Sequence, residues 1–524
     1  MHSPKSLQHL PTEILVNVLA DLSLRDLHAC QATCRRFASL VRSTLALQYV
    51  IELEAAGLCD GPPGPLTTAQ RMQLVLQRQS MWRTLKWTRK DVVPYETENC
   101  LTYELYGRVF GQGKGDKGGA TTKYITMSEL PSSYLEAPRR YIIDEEQLGI
   151  PVWDFTMDPV QDLLVLIEQN DDAAAVPWRV HFRALSSFEA HPRARAATVE
   201  PILHSTHSDW EDSEFSTKVF ENLVVMLFKP MVEGGSDHIF VWDWTTGRGC
   251  QPLVASGGFL DFAILSHDAI VVVGMKDDRV TLDVYTFRIP SDQRPAEDVK
   301  KQKRKPFCAA SMELPEPTHS DWWNYSVGCL SNCTSRDFNV PVRPFGNSLE
   351  NQILAFCFTG HPHRATMIVQ AKTLLRYAAR ATRATGVTVA WSDWGERATR
   401  WITECCDRDW LCGTHGSRFV TLVPSPNGER PLHHRVQMLD FNPFDVRRFP
   451  AYQTPWSSTR IVDEKTVVPA GGLWKHEVAG RLPYREVTLL QPAILSGVMI
   501  DECGIVGVRA DGASPVASLE IMTL

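Results

Sequence analysis

The stretch that decides the fold is "HIFVWDWTTG", His238 to Gly247. Aromatic and β-branched residues carry it to Trp242-Asp243, and a polar Thr-Thr-Gly turn follows, so it reads as a strand and its exit turn. About 43 positions after Trp242, "LDVYTF" (Leu282 to Phe287) repeats the pattern with Tyr285 in the Trp place. That interval matches the roughly 40–45-residue period of four-stranded blades. Segments of the same kind begin at Val180 ("VHFRAL"), Thr366 ("TMIVQAKT"), Val436 ("VQMLDF") and Ser518 ("SLEIMTL"). Many follow a more hydrophobic strand, such as "NLVVMLF" at Asn222 or "AIVVVGM" at Ala269. Strand pairs that recur to the last residue predict an all-β propeller, because radial repetition leaves few open edges. Seven blades is the favoured reading, with six as the alternative. A two-sheet sandwich is the alternative architecture, though one sandwich of this length would be unusual.

Upstream of about Asp91 the pattern is helical. Pro11 suits a first helical turn, where its missing N–H is harmless. Ile14, Leu15, Val18, Leu19 and Leu22 follow at helical spacing and predict one broad apolar face. Ser23 and Asp26 form a capping-box-like restart for a helix carrying Leu24 and Leu27. Phe37, Leu40 and Val41 give a third short stripe. A fourth helix over about 44–56 stops at Gly57, and "DGPPGP" (Asp60 to Pro65) makes a rigid connector. Thr67 and Gln70 cap a fifth helix that presents Met72, Val75 and Trp82. The expected domains are a small all-α head over 1–56, a helical linker over 57–92, and the propeller body over 93–524.

Bulk properties narrow the function classes. Of 524 residues, 44% are hydrophobic and 22% charged, which is globular rather than disordered composition. A net charge of -7 offers no global attraction to nucleic acid or an anionic membrane. Thirteen cysteines are scattered without a disulfide-scaffold spacing, and no apolar run approaches the roughly 20 residues of a membrane span. Without an apolar leader the expectation is a cytoplasmic or nuclear protein with reduced thiols. The glycosylation sequons at Asn324 and Asn332 then carry no meaning.

The head carries a resemblance. Leu10-Pro11-x-Glu13-Ile14-Leu15, then Leu19, Leu22, Asp26-Leu27, Cys34-Arg35 and Phe37, resemble the F-box, the helical motif that binds the Skp adaptor of cullin-based ubiquitin ligases. The continuation from Ser43 to Thr88, with "LQY.IEL…DG" and a closing "W..L.WT", resembles a large fungal family joining an F-box to a propeller-like body. "WDFTMDPVQDLLVLIE" and "VHFRALSSFEAHP" extend the likeness along most of the chain. Leu47-Gln48-Tyr49 where many F-boxes have Leu-Trp, and Thr33 where Val often precedes the Cys, are departures; Tyr49 is still a large aromatic anchor. The resemblance implies a non-enzymatic substrate receptor of a Skp-cullin-F-box ligase, with the adaptor, a cullin and an unknown protein target as partners. It implies adaptor contacts at Leu10, Pro11, Ile14, Leu15, Val18, Leu19, Leu22, Leu24, Leu27, Cys34 and Phe37. The alternatives are an F-box scaffold acting outside a ligase, or a propeller hydrolase or lyase with an accessory head.

Other motifs argue weakly for chemistry. "GKGDKG" (Gly113 to Gly118) spells a dinucleotide fingerprint, but a strand-like sequel replaces the helix whose N-terminus would hold a pyrophosphate. The run Gly111 to Gly119 is therefore expected as an exposed, mobile loop without nucleotide. Cys405, Cys406, Cys412 and His415 lack paired C-x-x-C spacing, and strand-like alternation separates Cys412 from His415, so structural thiols are expected and no metal. The histidines of "GHPHR" and "LHHR" lack a supporting ligand set. No G-x-S-x-G, H-E-x-x-H or Walker sequence occurs, and no cofactor is expected. Lys300, Lys301, Lys303, Arg304 and Lys305 form a basic run that reads first as a solvated polar loop, with nuclear import as the functional alternative.

Overall fold

Strand Leu223–Pro230 shows how this chain builds its body. Leu223, Val225 and Leu227 point into one buried core, and Val224, Met226 and Phe228 point into another. With both faces covered, the strand reads as a continuous apolar run instead of an alternation. In a computed structural model the described residues are 7, 10–96, 98–116, 119, 121–131, 139–169, 178–201, 213–230, 235–255, 258–276, 279–289, 305–318, 326–331, 344–360, 362–380, 386–403, 412–425, 433–509 and 516–523.

The body is a seven-bladed propeller. Its first strands are Cys100–Tyr106, Val152–Asp158, Ser213–Phe220, Phe259–Ser266, Ser326–Cys329, Thr414–His415 and Gly497–Ile500. Side chains bridge these strands from blade to blade. Thr102 Oγ1 donates to Asp154 at 2.8 Å, and Asp261 accepts from Ser216 Oγ at 3.3 Å and from Cys329 N at 2.6 Å. The strands therefore line the axis. Each blade packs on the next through its own apolar core, for instance Ile125 and Met127 against Phe155 and Leu164. Trp242-Asp243 ends its strand as predicted. The Asp243 carboxylate accepts from Thr245 N, Thr245 Oγ1, Thr246 N and Asn222 Nδ2, which fixes the turn.

Closure pairs the strand that follows the helices with the last described strand. Strand Arg89–Glu96 pairs antiparallel with Val516–Thr523 and completes the sheet that holds Gly497–Ile500 and Gly504–Arg509. This closing strand starts four positions before the expected 92/93 boundary and crosses it.

The expected Gly111–Gly119 loop needs correcting. Val109–Lys114 is a strand whose residues are all buried. A Cβ on Gly111 would meet the Phe155 ring at 3.0 Å, and one on Gly113 would meet Thr102 Cγ2 at 2.7 Å. Gly111 lets the next blade approach closely and Gly113 makes room for Thr102 on the paired strand, which is a packing role rather than a mobile loop. Residues 117, 118 and 120 lie outside the described residues.

Among the described residues the head, together with its linker, has five helices: α1 (Thr12–Ala20), α2 (Leu24–Thr33), α3 (Arg35–Ser43), α4 (Leu45–Ala55) and α5 (Thr68–Thr84). Ser23 Oγ accepts from Asp26 N at α2, and Thr67 and Gln70 form a complete capping box at α5. Gly57 takes φ +73 just past α4, the left-handed conformation that favours glycine at this position. No helix among the described residues is long and apolar enough to cross a membrane.

Candidate functional site

The predicted leucine stripe divides in two. Leu15, Leu19, Leu24 and Leu27 are at most 3% exposed, and Leu19 and Leu27 pack with Val41 and Leu47 in the centre of the head. They hold α1–α3 onto α4. Ile14 and Val18 lie on the adjoining face of α1 and remain 48% and 44% exposed. Pro11, one turn earlier on that side, is also exposed. Leu10, Leu22, Cys34 and Phe37 are half-buried around the head. Local hydrogen bonds keep the frame in place. Leu24 N donates to Glu54 Oε2 at 2.7 Å, Gln48 Nε2 to Val41 O at 2.7 Å, and Arg36 Nη2 to Leu10 O at 2.9 Å. Exposed Leu45, at the first turn of α4, escaped the sequence reading. It lies outside the α1 periodicity that revealed the others.

The second half of the site is the mounting of this head on the propeller. At one end, Leu58–Asp60 pairs antiparallel with Phe345–Asn347. Asp60 Oδ1 accepts from Tyr49 OH at 2.6 Å and Arg71 Nη1 at 2.7 Å, while Arg71 also donates to Pro344 O and Pro62 O. Burial pushes the Tyr49 phenol up, and the Asp60 charge adds to it, so the ring stays a neutral donor.

At the other end α5 enters the propeller core. Trp82 and Leu85 share a cluster with Val420, Leu422, Met438, Ile500, Ile505 and Met522 between the last two blades. Arg418, buried over the Trp82 ring at 4.7 Å, ion-pairs Asp440 and donates to Gln79 Oε1 at 2.9 Å. Asp445 joins Arg83 of α5 to the fully buried Arg485, whose Nε lies 2.6 Å from Asp445 Oδ2. Trp456 Nε1 and Ser457 Oγ both donate to Thr84 O, satisfying a carbonyl at the end of α5. Arg78 donates to Glu502 O, and Arg448 forms a bidentate pair with Glu52 on α4. The groove between α4, α5 and helix Pro443–Arg448 is rimmed by these ion pairs and floored by Ala55, Val75 and Phe449.

The remaining predicted sites do not gather. Cys412 is buried with Sγ 3.5 Å from Leu105 O, and burial pushes its thiol up to about 12. His415 Nε2 instead faces Asn347 Nδ2 at 2.8 Å. Cys405 and Cys406 lie outside the described residues, as do Lys300, Lys301, Lys303 and Arg304; Lys305 is exposed. His363 is exposed at a strand start, and His434 Nδ1 lies 3.1 Å from Leu495 O. Among the described residues no three His, Cys, Asp or Glu side chains stand together as metal ligands.

Residues 7–48 match the F-box-like family model. No curated protein matches the chain in sequence. Among solved structures, the WD40 domain of Toxoplasma gondii coronin aligns at 7% identity and TM-score 0.32, covering 82% of this chain and 93% of that one. Prolyl oligopeptidase B from Galerina marginata aligns at 6% identity and TM-score 0.32, covering 72% of this chain and 46% of that one. This chain is thus an F-box-like domain followed by a seven-bladed propeller, an architecture that fits an F-box substrate receptor in general.

Proposed function

We propose that the chain is the non-catalytic substrate receptor of a Skp-cullin-F-box ubiquitin ligase, acting in the cytoplasm or nucleus. The observation that carries this reading is the outward face of α1 within the F-box-like domain, where Pro11, Ile14 and Val18 stay exposed over a buried leucine core. The Skp adaptor covers that face, with Leu10, Leu22, Cys34, Phe37 and Leu45 at its margins. Leu15, Leu19, Leu24 and Leu27 act indirectly, by shaping the head. Fully burying one large aliphatic side chain contributes roughly 1.5–3 kcal/mol, so a few of them support a complex after the cost of association.

The propeller presents the target protein, and the fixed mount of the head holds that target at a set distance from the conjugating enzyme. Transfer then becomes effectively intramolecular, which is the receptor's whole contribution to rate. The test is affinity purification with degradation blocked, comparing the intact chain with one lacking 10–44. The receptor reading expects the adaptor and a cullin with the intact chain alone. Adaptor without cullin would favour a scaffold outside a ligase, and neither would refute the reading.

A further inference from the structure

Helix Ala371–Arg380 is inserted in the fifth blade, between strands His363–Gln370 and Thr399–Ile402. Ala371 and Leu374 are buried, and Leu375, Tyr377 and Ala378 pack on the same apolar core, which fixes its inner face. Lys372, Arg376 and Arg380 recur one turn apart on another face, a row of about 12 Å at about 1.5 Å per residue. Gln370 Nε2 donates to Phe441 O at 3.1 Å, which sets the start of this helix near helix Pro443–Arg448 and its exposed Arg447. That second helix is tied to α4 by Asn442 Nδ2 on Ala55 O at 2.8 Å and by the Arg448–Glu52 pair. The cations therefore lie on the side of the ring that carries the head. Local preferences oppose them. Lys372 is half-buried in the first helical turn, at the positive end of the dipole. Burial pushes its ammonium down, and the Arg376 and Arg447 charges add to that, against Glu350. Arg376 and Arg380 repeat the like charge at i, i+4 spacing. Among the described residues no ion pair or hydrogen bond holds any of the four charged groups.

We propose that Lys372, Arg376, Arg380 and Arg447 form a docking surface for an acidic polypeptide segment that carries carboxylates one helical turn apart. Arg guanidinium groups hold carboxylates through paired N–H donors and stay charged at any physiological pH. Carboxylates at every fourth residue of a helix recur at about 6 Å, the interval of the cations themselves. A nucleic acid matches this row less well. Duplex charges come about every 1.7 Å along the axis, and a chain of net charge -7 repels a polyanion that runs past the row. The surface lies beyond α1 and does not depend on what α1 binds.

The probe is fluorescein-labelled decaglutamate, followed by fluorescence anisotropy at low ionic strength, with a labelled thymidine decanucleotide beside it. One variant combines Arg376→Glu, Arg380→Glu and Arg447→Glu, all at exposed positions. A control combines Lys90→Glu, Arg140→Glu and Lys465→Glu, which makes the same net change at other exposed positions. Both are melted first, and if the first variant melts lower than the intact chain, the Gln substitutions at its three positions are used instead. The proposal expects decaglutamate to bind the intact and control chains, and the first variant to bind it about tenfold or more weakly. The nucleotide should bind the intact chain more weakly than decaglutamate does. No binding of decaglutamate to the intact chain overturns the proposal. So does an equal loss in variant and control, which would reduce the effect to net charge, or tighter binding of the nucleotide, which would make the row a nucleic-acid surface.

Discussion

Helices α1 and α5 lie in the same small head and are held by opposite means. In α1 the apolar residues are its structure: Leu15 and Leu19 face inward and the helix has no side-chain cap at its start. In α5 the buried set includes Arg71 and Gln79 beside Val75 and Trp82, and ion pairs carry much of the attachment. The difference teaches where each can fail. A helix held by apolar packing can spare its outer face for a partner. A helix held by buried charges depends on every one of them, because one missing partner leaves a charge stranded away from water.

The largest expected effect is at Asp445. Asp445→Ala leaves Arg485 and Arg83 without their carboxylate, at a cost of about 3–5 kcal/mol. Thermal melting should show a lowered propeller transition, because the lost pairs join α5 to the last blades. A melt unchanged by this substitution would break the contrast drawn between the two helices.

Leu15→Ala comes next, at about 2–5 kcal/mol. The loss should be confined to α1–α3, so hydrogen exchange quickens there while the propeller amides keep their protection. Quickened exchange in the last blades would mean that the head core and the propeller core are one.

The axis supplies a pH effect of intermediate size. Burial pushes the Glu104 carboxyl up to about 8, with the nearby Asp154 charge adding to it, against hydrogen bonds from Thr156 and Met157 N. Burial likewise holds Asp154 up to about 6. The folded chain keeps protons that the unfolded chain releases from about 4.5 upward, so these groups cost stability as pH rises towards 8. Melting between about pH 5 and about pH 8 should show this decline, and Glu104→Gln should flatten it. A slope unchanged in Glu104→Gln would place the titration elsewhere.

Much of this fold was legible because propeller strands bury both faces. "NLVVMLF" and "AIVVVGM" announce themselves as apolar runs, and the helix caps at Ser23 and Thr67 are local signals. The blade count was harder to read. Outer strands such as Thr198–Val199 are too short to register, and in the sixth blade Tyr484–Leu489 sits inside Ser457–Val462 despite following it in sequence. The glycines of Val109–Lys114 misled for a related reason: glycine freedom suggests a loop, yet only the folded neighbours, Phe155 in the next blade and Thr102 on the paired strand, show why a side chain is excluded. At the candidate site, spacing marked α1 but gave Ile14 and Leu15 equal claims, since a broad stripe does not say which edge faces inward. The α5 mount joins residues hundreds of positions apart, such as Arg83 and Asp445, and no local pattern encodes such a pair.

The smallest effect on stability should accompany the largest effect on binding, and it tests the central claim most directly. Ile14→Asp with Val18→Asp alters side chains already about half in water, so melting should stay within about 0.5 kcal/mol of the intact chain. In a complex the same carboxylates would be buried in an apolar contact without partners, and a loss of about 4 kcal/mol weakens binding nearly a thousandfold. Titration of the purified Skp adaptor against both chains, with a melt of each, is the measurement. The account predicts lost binding with an unchanged melt. Binding retained at full affinity would contradict it and move the partner to another face of the head.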